Sequence, residues 1–343
     1  MLWKTLLALP FFFSQMPSTT NYQLNSYGFG SGGTANSSTG NYALEGISGE
    51  LSGQSAATAN YSLKPGFIET QQANVPKLSA FDNGGGRYYN RLHFVIDQQG
   101  NPADALYALQ ISTSSNFSSG ISYVKSDLTI GPTLALSDYQ TYTAWGGAGG
   151  AVITTLTPNT TYYLRVKATQ GKFTESGYGP SSTATTVNPA ISFSISPTTV
   201  SMGNLLPGTV VDATSSISLT FDTNAVSGGD IYVSGQNTGL NSASAGSTIT
   251  SASGDLSSLS SGFGARVTAA GQSSGGPLSA QSPYNGAGNN VGITDTTIRK
   301  MISSGAQVNT GTASVLLKAK ATNTTPAAND YREVLTMLAS ATF

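Results

Sequence analysis

Few side chains in this sequence are of the types that catalyse reactions, and the one histidine is the clearest of them. A Ser-His-Asp site uses a histidine as its general base, and His93 is the only histidine in the chain. It stands between Leu92 and Phe94, where apolar and polar residues alternate, and this pattern places it on the solvent-facing side of a strand. We therefore interpret His93 as a surface residue and predict that the chain is not an enzyme.

The carboxylates give an equally weak signal for catalysis or metal binding. One histidine and no cysteine argue against a zinc site. Glu45 and Glu50 lie in glycine-rich turns, and Asp222 and Asp230 flank a hairpin or loop, where aspartates commonly form turns. A calcium site formed by Asp222, Asp230 or Asp295 remains an alternative, although no Asp-x-Asp-x-Asp-Gly motif is present. We predict no cofactor and no metal. Hydrolase activity remains an alternative only if two acidic side chains lie close together in one cleft.

Three aromatic residues are the best candidates for contact with a ligand. Tyr139, Tyr142 and Trp145 lie in one segment before a glycine-rich turn. Exposed aromatic rings stack on sugars and anchor protein partners. The alternative for Trp145 is a place in the core, which we favour because tryptophan is usually well buried.

The segment 156–168 contains the strongest structural signal in the chain. After a turn at Pro158, Tyr162, Leu164, Val166 and Ala168 alternate with polar residues, which predicts a strand with one buried face. A tyrosine at the head of such a strand suits a tyrosine corner, whose hydroxyl bonds to the backbone across the end of a β-sandwich. We assign that structural role to Tyr162.

The motif Leu156-x-Pro158-x-Thr160-x-Tyr162 resembles the E–F region of fibronectin type III domains. The resemblance extends over residues 77–187 and implies a β-sandwich domain. We predict the boundaries of this domain at residues 73 and 188. The resemblance also implies an extracellular spacer or binding module, since that family is rarely enzymatic. The tryptophan common in the family's second strand is absent, and Phe94 stands near its position, so a repacked core is expected.

Composition limits the classes of partner. Only 9% of the residues are charged, against about 25% in ordinary soluble proteins. The formal net charge of −1 favours neither nucleic acid nor an anionic membrane. The absence of cysteine removes disulfides, thiolate metal sites and cysteine nucleophiles. A cysteine-free chain rich in Ser, Thr and Gly is typical of a bacterial surface protein.

The N-terminus is typical of an exported protein. Lys4 precedes the apolar run 5–13, which is too short to span a membrane and suits the central region of a signal peptide. We predict a signal peptide over residues 1–18, with a buried first strand of the mature domain as the alternative. No later segment is long and apolar enough to span a membrane. The predicted location is therefore extracellular, in association with a cell surface.

Residues 19–72 contain a threefold repeat and a polar linker. The motif Asn-Tyr-x-Leu occurs at Asn21–Leu24, Asn41–Leu44 and Asn60–Leu63. The Tyr and Leu of each unit point to one face of a strand, and glycines then turn the chain. Each unit is too small to bury its own apolar face. The units therefore either stack within one chain or pair with a sheet edge of another copy, which would build a filament.

The remaining residues, 189–343, are predicted to form a second β-sandwich. This part resembles Ser/Thr-rich β-sandwich domains of bacterial surface and pilus-like proteins. The apolar segment 332–343 is predicted to be paired inside a sheet rather than left at an edge, and 237–276 is predicted to form loops or short edge strands. Further strands are predicted at 191–195, 200–206, 215–221, 230–234 and 313–321.

One short helix is predicted in this second sandwich, over residues 295–304. Asp295 would cap it, and Gly305 would end it. Ile298, Met301 and Ile302 stand at helical spacing. The predicted fold class is therefore all-β, with an N-terminal β-repeat, a fibronectin type III-like sandwich and a C-terminal sandwich carrying this helix.

These observations predict a secreted structural or adhesive protein of a cell surface. Its sandwiches would display loops and edges to a protein or a glycan, and self-assembly into a filament or surface layer is included in this prediction. The alternative is a noncatalytic carbohydrate-binding component of a polysaccharide-degrading system. A glycan array would separate the two interpretations.

Overall fold

The protein is almost entirely β-structure. A computed structural model describes residues 73–170 and 174–343, together with the backbone of the strands at 32–38, 43–48, 56–57 and 62–63. Within these residues the helical segments are two short 3-10 turns, Leu136–Asp138 and Gly147–Gly149. The predicted all-β class is confirmed.

Four short strands belong to the repeat segment. Strand β1 (Gly32–Ser38) pairs antiparallel with β2 (Ala43–Ser48), and β3 (Ala56–Ala57) pairs with β4 (Ser62–Leu63). The second and third repeat units therefore reach into β2 and β4. The predicted signal peptide, the first repeat unit and linker residues 68–72 lie outside the described residues.

The chain divides into two compact units. The first holds the described residues up to Phe81, with Phe94–Ala151 and Tyr163–Ser182. The second holds Asp82–His93, Val152–Tyr162 and Thr183–Phe343. The domain boundaries expected from the sequence, near residues 72 and 188, stay predictions.

The strands after the repeat first form two sheets. Their strands are β5 Lys77–Asp82, β6 Leu92–Asp97, β7 Leu106–Ser112, β8 Ile121–Val124, β9 Ile130–Gly131, β10 Gln140–Thr141, β11 Ala151–Ile153, β12 Thr161–Gln170, β13 Thr174–Glu175 and β14 Ser182–Thr185. One sheet has the order β13-β12-β7-β8-β9, with β10 also paired with β7 and β14 also paired with β12. The other sheet has the order β11-β6-β5.

The predicted alternation in β6 and β12 is confirmed. Phe94 and Ile96 of β6 are buried, and so are Leu164 and Val166 of β12, while their neighbours along each strand are partly exposed. This burial follows from the period of two, which sends every second side chain into the core.

The C-terminal strands form two larger sheets and two small ones. The strands are β15 Ile191–Ser196, β16 Val210–Asp212, β17 Ile217–Thr223, β18 Gly229–Gly235, β19 Gly239–Ser242, β20 Ser247–Thr250, β21 Gly254–Asp255, β22 Gly262–Gly271, β23 Ser274–Gly275, β24 Ser279–Ala280, β25 Asn290–Val291, β26 Arg299–Ser304, β27 Val308–Lys320 and β28 Leu335–Ala341. One larger sheet has the order β15-β17-β27-β16, with β22 and β23 also paired with β27, and the other has the order β24-β26-β18-β28. The small sheets are β19-β20 and β21-β25.

The predicted helix over 295–304 is wrong, because residues 299–304 form strand β26. The ladder between β26 and β18 shifts register between Ile231 and Tyr232, which pair with Ile302 and Lys300. Met301 is therefore an extra residue in the ladder, and this bulge lets Met301 and its neighbour Ile302 both be buried. Two adjacent buried residues in a bulged strand imitate helical spacing. Asp295 pairs with Arg299.

Three further predictions for this part of the chain are wrong, one of them only in part. Residues 200–206 form no strand but lie as irregular chain with Met202 packed against the core. The segment 237–276 has the predicted short strands β19, β20, β21 and β23, but it also contains the long strand β22, whose small side chains do not produce a clear alternation. The C-terminal strand β28 pairs with β18 but ends its sheet, so it is an edge strand.

Candidate functional site

Trp145 is a core residue, which is the alternative that the sequence favours, and its side chain is not available as a ligand contact. Its side chain is 1% exposed, and its indole Nε1 donates to the carbonyl oxygen of Tyr107 at 2.9 Å. The ring meets Phe94 edge to face, with centroids 5.8 Å apart. It therefore fills the core beside Phe94.

Tyr142 lines a shallow cleft instead. The cleft has a volume of about 400 Å³, and Ser79, Asp97, Gln99 and Ala148 contribute to its walls. One aromatic ring among hydroxyl, amide and carboxylate groups is a lining that suits a sugar. Tyr142 is partly buried and contributes to the wall of the cleft.

Tyr139 belongs to a different surface, which we call the cation–aromatic row. In this row aromatic rings alternate with cations on the outer side of β7 and β12, and one carboxylate stands at its end. The members are, in order, Phe117, Arg165, Tyr178, Lys167, Tyr139 and Glu175. The three aromatic residues singled out from the sequence thus lie in three different environments.

Arg165 is the centre of the row. Its guanidinium carbon lies 4.0 Å from the ring centroid of Phe117 and 4.3 Å from that of Tyr178. Its Nε donates to Gln110 Oε1 at 2.7 Å, and the Gln110 amide donates to the Tyr123 hydroxyl at 3.2 Å. Ring contacts and a side-chain hydrogen bond therefore fix a planar cation that is partly buried.

Lys167 continues the row toward Tyr139. Its Nζ lies 5.4 Å from the ring centroid of Tyr178 and 5.5 Å from that of Tyr139, and it forms an ion pair of 2.7 Å with Glu175. The Tyr139 hydroxyl donates to the other carboxylate oxygen of Glu175. One exposed carboxylate thus orders two members of the row.

The ionisation states of the row follow from these contacts. Burial opposes both charges, but the ion pair and the hydrogen bonds with Tyr139 outweigh it, so the pKa of Lys167 is raised and that of Glu175 is lowered. Burial raises the pKa of Tyr178. Burial and then the hydrogen bond to Glu175 raise the pKa of Tyr139. At neutral pH the row therefore carries two cations, one carboxylate and neutral phenols.

The local sequence explains why the row forms. Alternation along β12 sends Leu164 and Val166 inward and leaves Arg165 and Lys167 on the outer side. The row covers the outer side of β7, where Gln110 is buried. Sequence reasoning missed Phe117 and Tyr178, because both lie outside β12 and no local pattern places their rings beside Arg165. The one available signal was the pair of cations at alternate positions after Tyr162.

Tyr162 makes the hydrogen bond expected of a tyrosine corner. Its ring is buried, and its hydroxyl accepts from the backbone N–H of Thr157 at 2.9 Å. The bond ties the head of β12 to the turn that precedes it.

The residues considered for catalysis lie in separate places. His93 Nδ1 is 3.1 Å from Asp82 Oδ2. Asp222 pairs with Arg87 at 2.8 Å, and Asp230 pairs with Lys300 at 2.7 Å. In the described part of the chain, no group of three His, Asp or Glu side chains is placed to hold a metal ion. No helix among the described residues has the length and apolar character needed to cross a membrane.

Comparison with known proteins gives only distant likenesses. Neither a family model nor a curated protein matches the chain. The chicken CNTN1 FN1-FN3 domains are 11% identical over 81% of this chain and 68% of theirs, with a TM-score of 0.26. The chitinase ChiA74 from Bacillus thuringiensis is 11% identical over 76% of this chain and 28% of its own, with a TM-score of 0.18. The alpha-L-rhamnosidase from Dictyoglumus thermophilum is 10% identical over 78% of this chain and 28% of its own, with a TM-score of 0.22. A fibronectin-domain structure is thus among the structural neighbours of this all-β chain.

Proposed function

We propose that the chain is a secreted adhesive protein of a cell surface and that the cation–aromatic row is its contact with a partner protein. The observation that carries this proposal is the position of Arg165 between the rings of Phe117 and Tyr178. Tyrosine and arginine dominate the energetics of protein interfaces, because each buries a large area with little entropy loss when it is already ordered.

The chemistry of the row favours a protein over a sugar. Sugars stack on open ring faces, whereas Arg165 and Lys167 already lie over the rings of Tyr178 and Tyr139. The groups left to a partner are the phenol edges and the terminal guanidinium N–H groups of Arg165. A partner surface with carboxylates and apolar side chains matches this set.

A second candidate function, noncatalytic carbohydrate binding, is favoured by the cleft beside Tyr142. There a tyrosine ring faces polar groups that include Asp97 and Gln99, an arrangement that suits hydrogen bonds to sugar hydroxyls. This cleft and the row are built from different residues, so variants can separate the two functions.

The proposed location and the absence of catalysis rest on other observations. The apolar run after Lys4 supports export. The pairing of Asp222, Asp230 and Asp295 with Arg87, Lys300 and Arg299 supports structural roles for these acids.

A mixed array of secreted proteins and glycans, probed with the purified chain, tests the proposal. We expect binding to protein spots that Arg165→Ala reduces at least tenfold, with Tyr142→Ala unchanged. Arg332→Ala is the matched control, since Arg332 is an exposed arginine of the second unit. Binding to glycans alone, lost in Tyr142→Ala, would establish the second function instead. Binding insensitive to both variants would overturn both.

A further inference from the structure

The C-terminal strand β28 leaves one side of its backbone without a partner strand. It pairs with β18 from Leu335 opposite Gly235 to Ala341 opposite Gly229, and it stands last in the order β24-β26-β18-β28. No strand in the described ranges pairs with its other side. This edge belongs to the second unit, whereas the residues of the cation–aromatic row belong to the first.

The hydrogen bonds at the two ends of the ladder show which backbone groups face outward. The N–H of Thr342 donates to the Gly228 carbonyl at 3.2 Å, and the N–H of Gln236 donates to the Val334 carbonyl at 2.9 Å. Even-numbered residues of β28 therefore direct their backbone groups toward β18. In an antiparallel ladder the odd-numbered residues, from Leu335 to Ala341, direct theirs away from it.

The strand carries none of the features that usually prevent edge pairing. Proteins protect sheet edges with charges, prolines, bulges or very short strands. From Val334 to Phe343 the chain has no charge and no proline, and its ladder with β18 has no register shift. The opposite edge of the same sheet, β24, is only two residues long. Protection is thus present at one edge and missing at the other.

Apolar side chains also stand exposed along this edge strand. Leu338 is 54% exposed and Val334 is 51% exposed. The side chains of the odd-numbered residues Leu335, Met337 and Ala339 pack only partly against the core. A strand added beside β28 would cover these groups and satisfy the outward backbone N–H and C=O groups in one step.

We propose that the added strand is β28 of a second copy of this chain, paired antiparallel about a two-fold axis through Leu338. Met337 would then exchange hydrogen bonds with Ala339 of the other copy, and Leu335 with Ala341. The two copies of Leu338 would face each other directly. A strand pairing with itself places equal residues together at its centre, which only an uncharged strand tolerates. The four-stranded sheets of the two copies would then form one continuous sheet of eight strands.

Light scattering on the full chain measures the predicted dimer. We expect a mass of twice 35.1 kDa at high concentration. Leu338→Lys and Leu338→Glu should each be monomeric, because like charges meet at the centre, and an equimolar mixture of the two should dimerise. Leu206→Lys, a substitution at an exposed leucine in a turn, should leave the dimer intact.

A single-cysteine variant tests the register, since the chain has no cysteine of its own. Leu338 would form a non-hydrogen-bonded pair with its counterpart, with Cα atoms about 4.5 Å apart, a distance that a disulfide spans. We expect Leu338→Cys to form a covalent dimer on oxidation and Leu206→Cys to form at least tenfold less. A monomeric wild type, a monomeric mixture of the charged variants, or equal cross-linking of the two cysteine variants would overturn the proposal.

Discussion

Single buried hydroxyl groups connect the strands of this protein to its turns. Tyr162 accepts a hydrogen bond from the Thr157 amide, and Tyr284 donates one of 2.6 Å to the Ile293 carbonyl. The turn motif before β12 predicted the first bond. The second has no sequence signal, because nothing in the residues around Tyr284 indicates that its ring is buried.

Removal of either hydroxyl should destabilise the chain. Tyr162→Phe and Tyr284→Phe should each lower the free energy of unfolding by about 1 kcal/mol, the usual net contribution of such a bond. Tyr163→Phe is the control, since its ring lies on the opposite side of β12 from Tyr162. Chemical denaturation measures the differences. Equal stability of Tyr162→Phe and the wild type would exclude the tyrosine-corner role.

Asp330 should make stability depend on pH in the acid range. The Ser242 hydroxyl, the Ser244 amide at 2.9 Å and the Ser244 hydroxyl at 2.8 Å donate to its carboxylate and lower its pKa from 3.8 to about 2. A lowered pKa stabilises the folded state above the unfolded-state value, and this contribution is lost as the pH falls from 3.8 toward 2.

Thermal melts across this range test the effect of Asp330. Asp330→Asn removes the titrating group, so its melting temperature should fall less steeply than that of the wild type between pH 4 and about 2. Asp255→Asn, at an exposed aspartate of the same unit, serves as the control. Identical slopes for Asp330→Asn and the wild type would contradict the lowered pKa.

At the scale of elements, the strands with regular alternation were predictable and the irregular ones were not. β6 and β12 bury every second residue, so the period of two identifies them. β26 contains a bulge at Met301 that places two neighbours in the core, and this spacing indicated a helix. The usual burial of tryptophan predicts a core place for Trp145, but the composition does not specify the shape of the turn that carries it.

That turn, residues 141–150, has several positions that favour glycine, and Gly146 is one of them. Gly146 has a φ of +85°, and a Cβ there would lie 1.9 Å from the Gly150 carbonyl oxygen. Gly146→Ala should therefore displace the turn that carries Trp145 and cost more than about 1 kcal/mol of stability. Gly149→Ala is the matched control, because its Cβ would meet nothing within 4 Å.

Tryptophan fluorescence in a Trp3→Phe background, where Trp145 is the remaining tryptophan, and denaturation together report on this turn. Gly146→Ala should shift the emission toward longer wavelength and lower the unfolding midpoint, whereas Gly149→Ala should change neither. If both variants unfold at the wild-type midpoint, the geometry of the turn does not hold Trp145 in the core.

At the scale of the whole molecule, two surfaces belong to different compact units of the chain. The cation–aromatic row lies in the first unit and the β28 edge in the second. Composition and motifs predicted the all-β class and directed attention to aromatic residues. Phe117, Arg165 and Tyr178 meet in the row because β7 pairs with β12. Phe117 lies in the chain that follows β7, and Tyr178 lies in the chain that follows β12. Such long-range pairing is not encoded in any local pattern.

The most direct test of the adhesive function is the affinity of the row for its protein partner, once the array has identified one. A titration in solution should show Arg165→Ala weakening binding by about 30-fold, the effect of a 2 kcal/mol interface residue. Arg165→Lys should lose most of this affinity as well, since lysine keeps the charge but not the planar stacking. Arg332→Ala should bind like the wild type. Wild-type affinity in a folded Arg165→Ala variant would contradict the account.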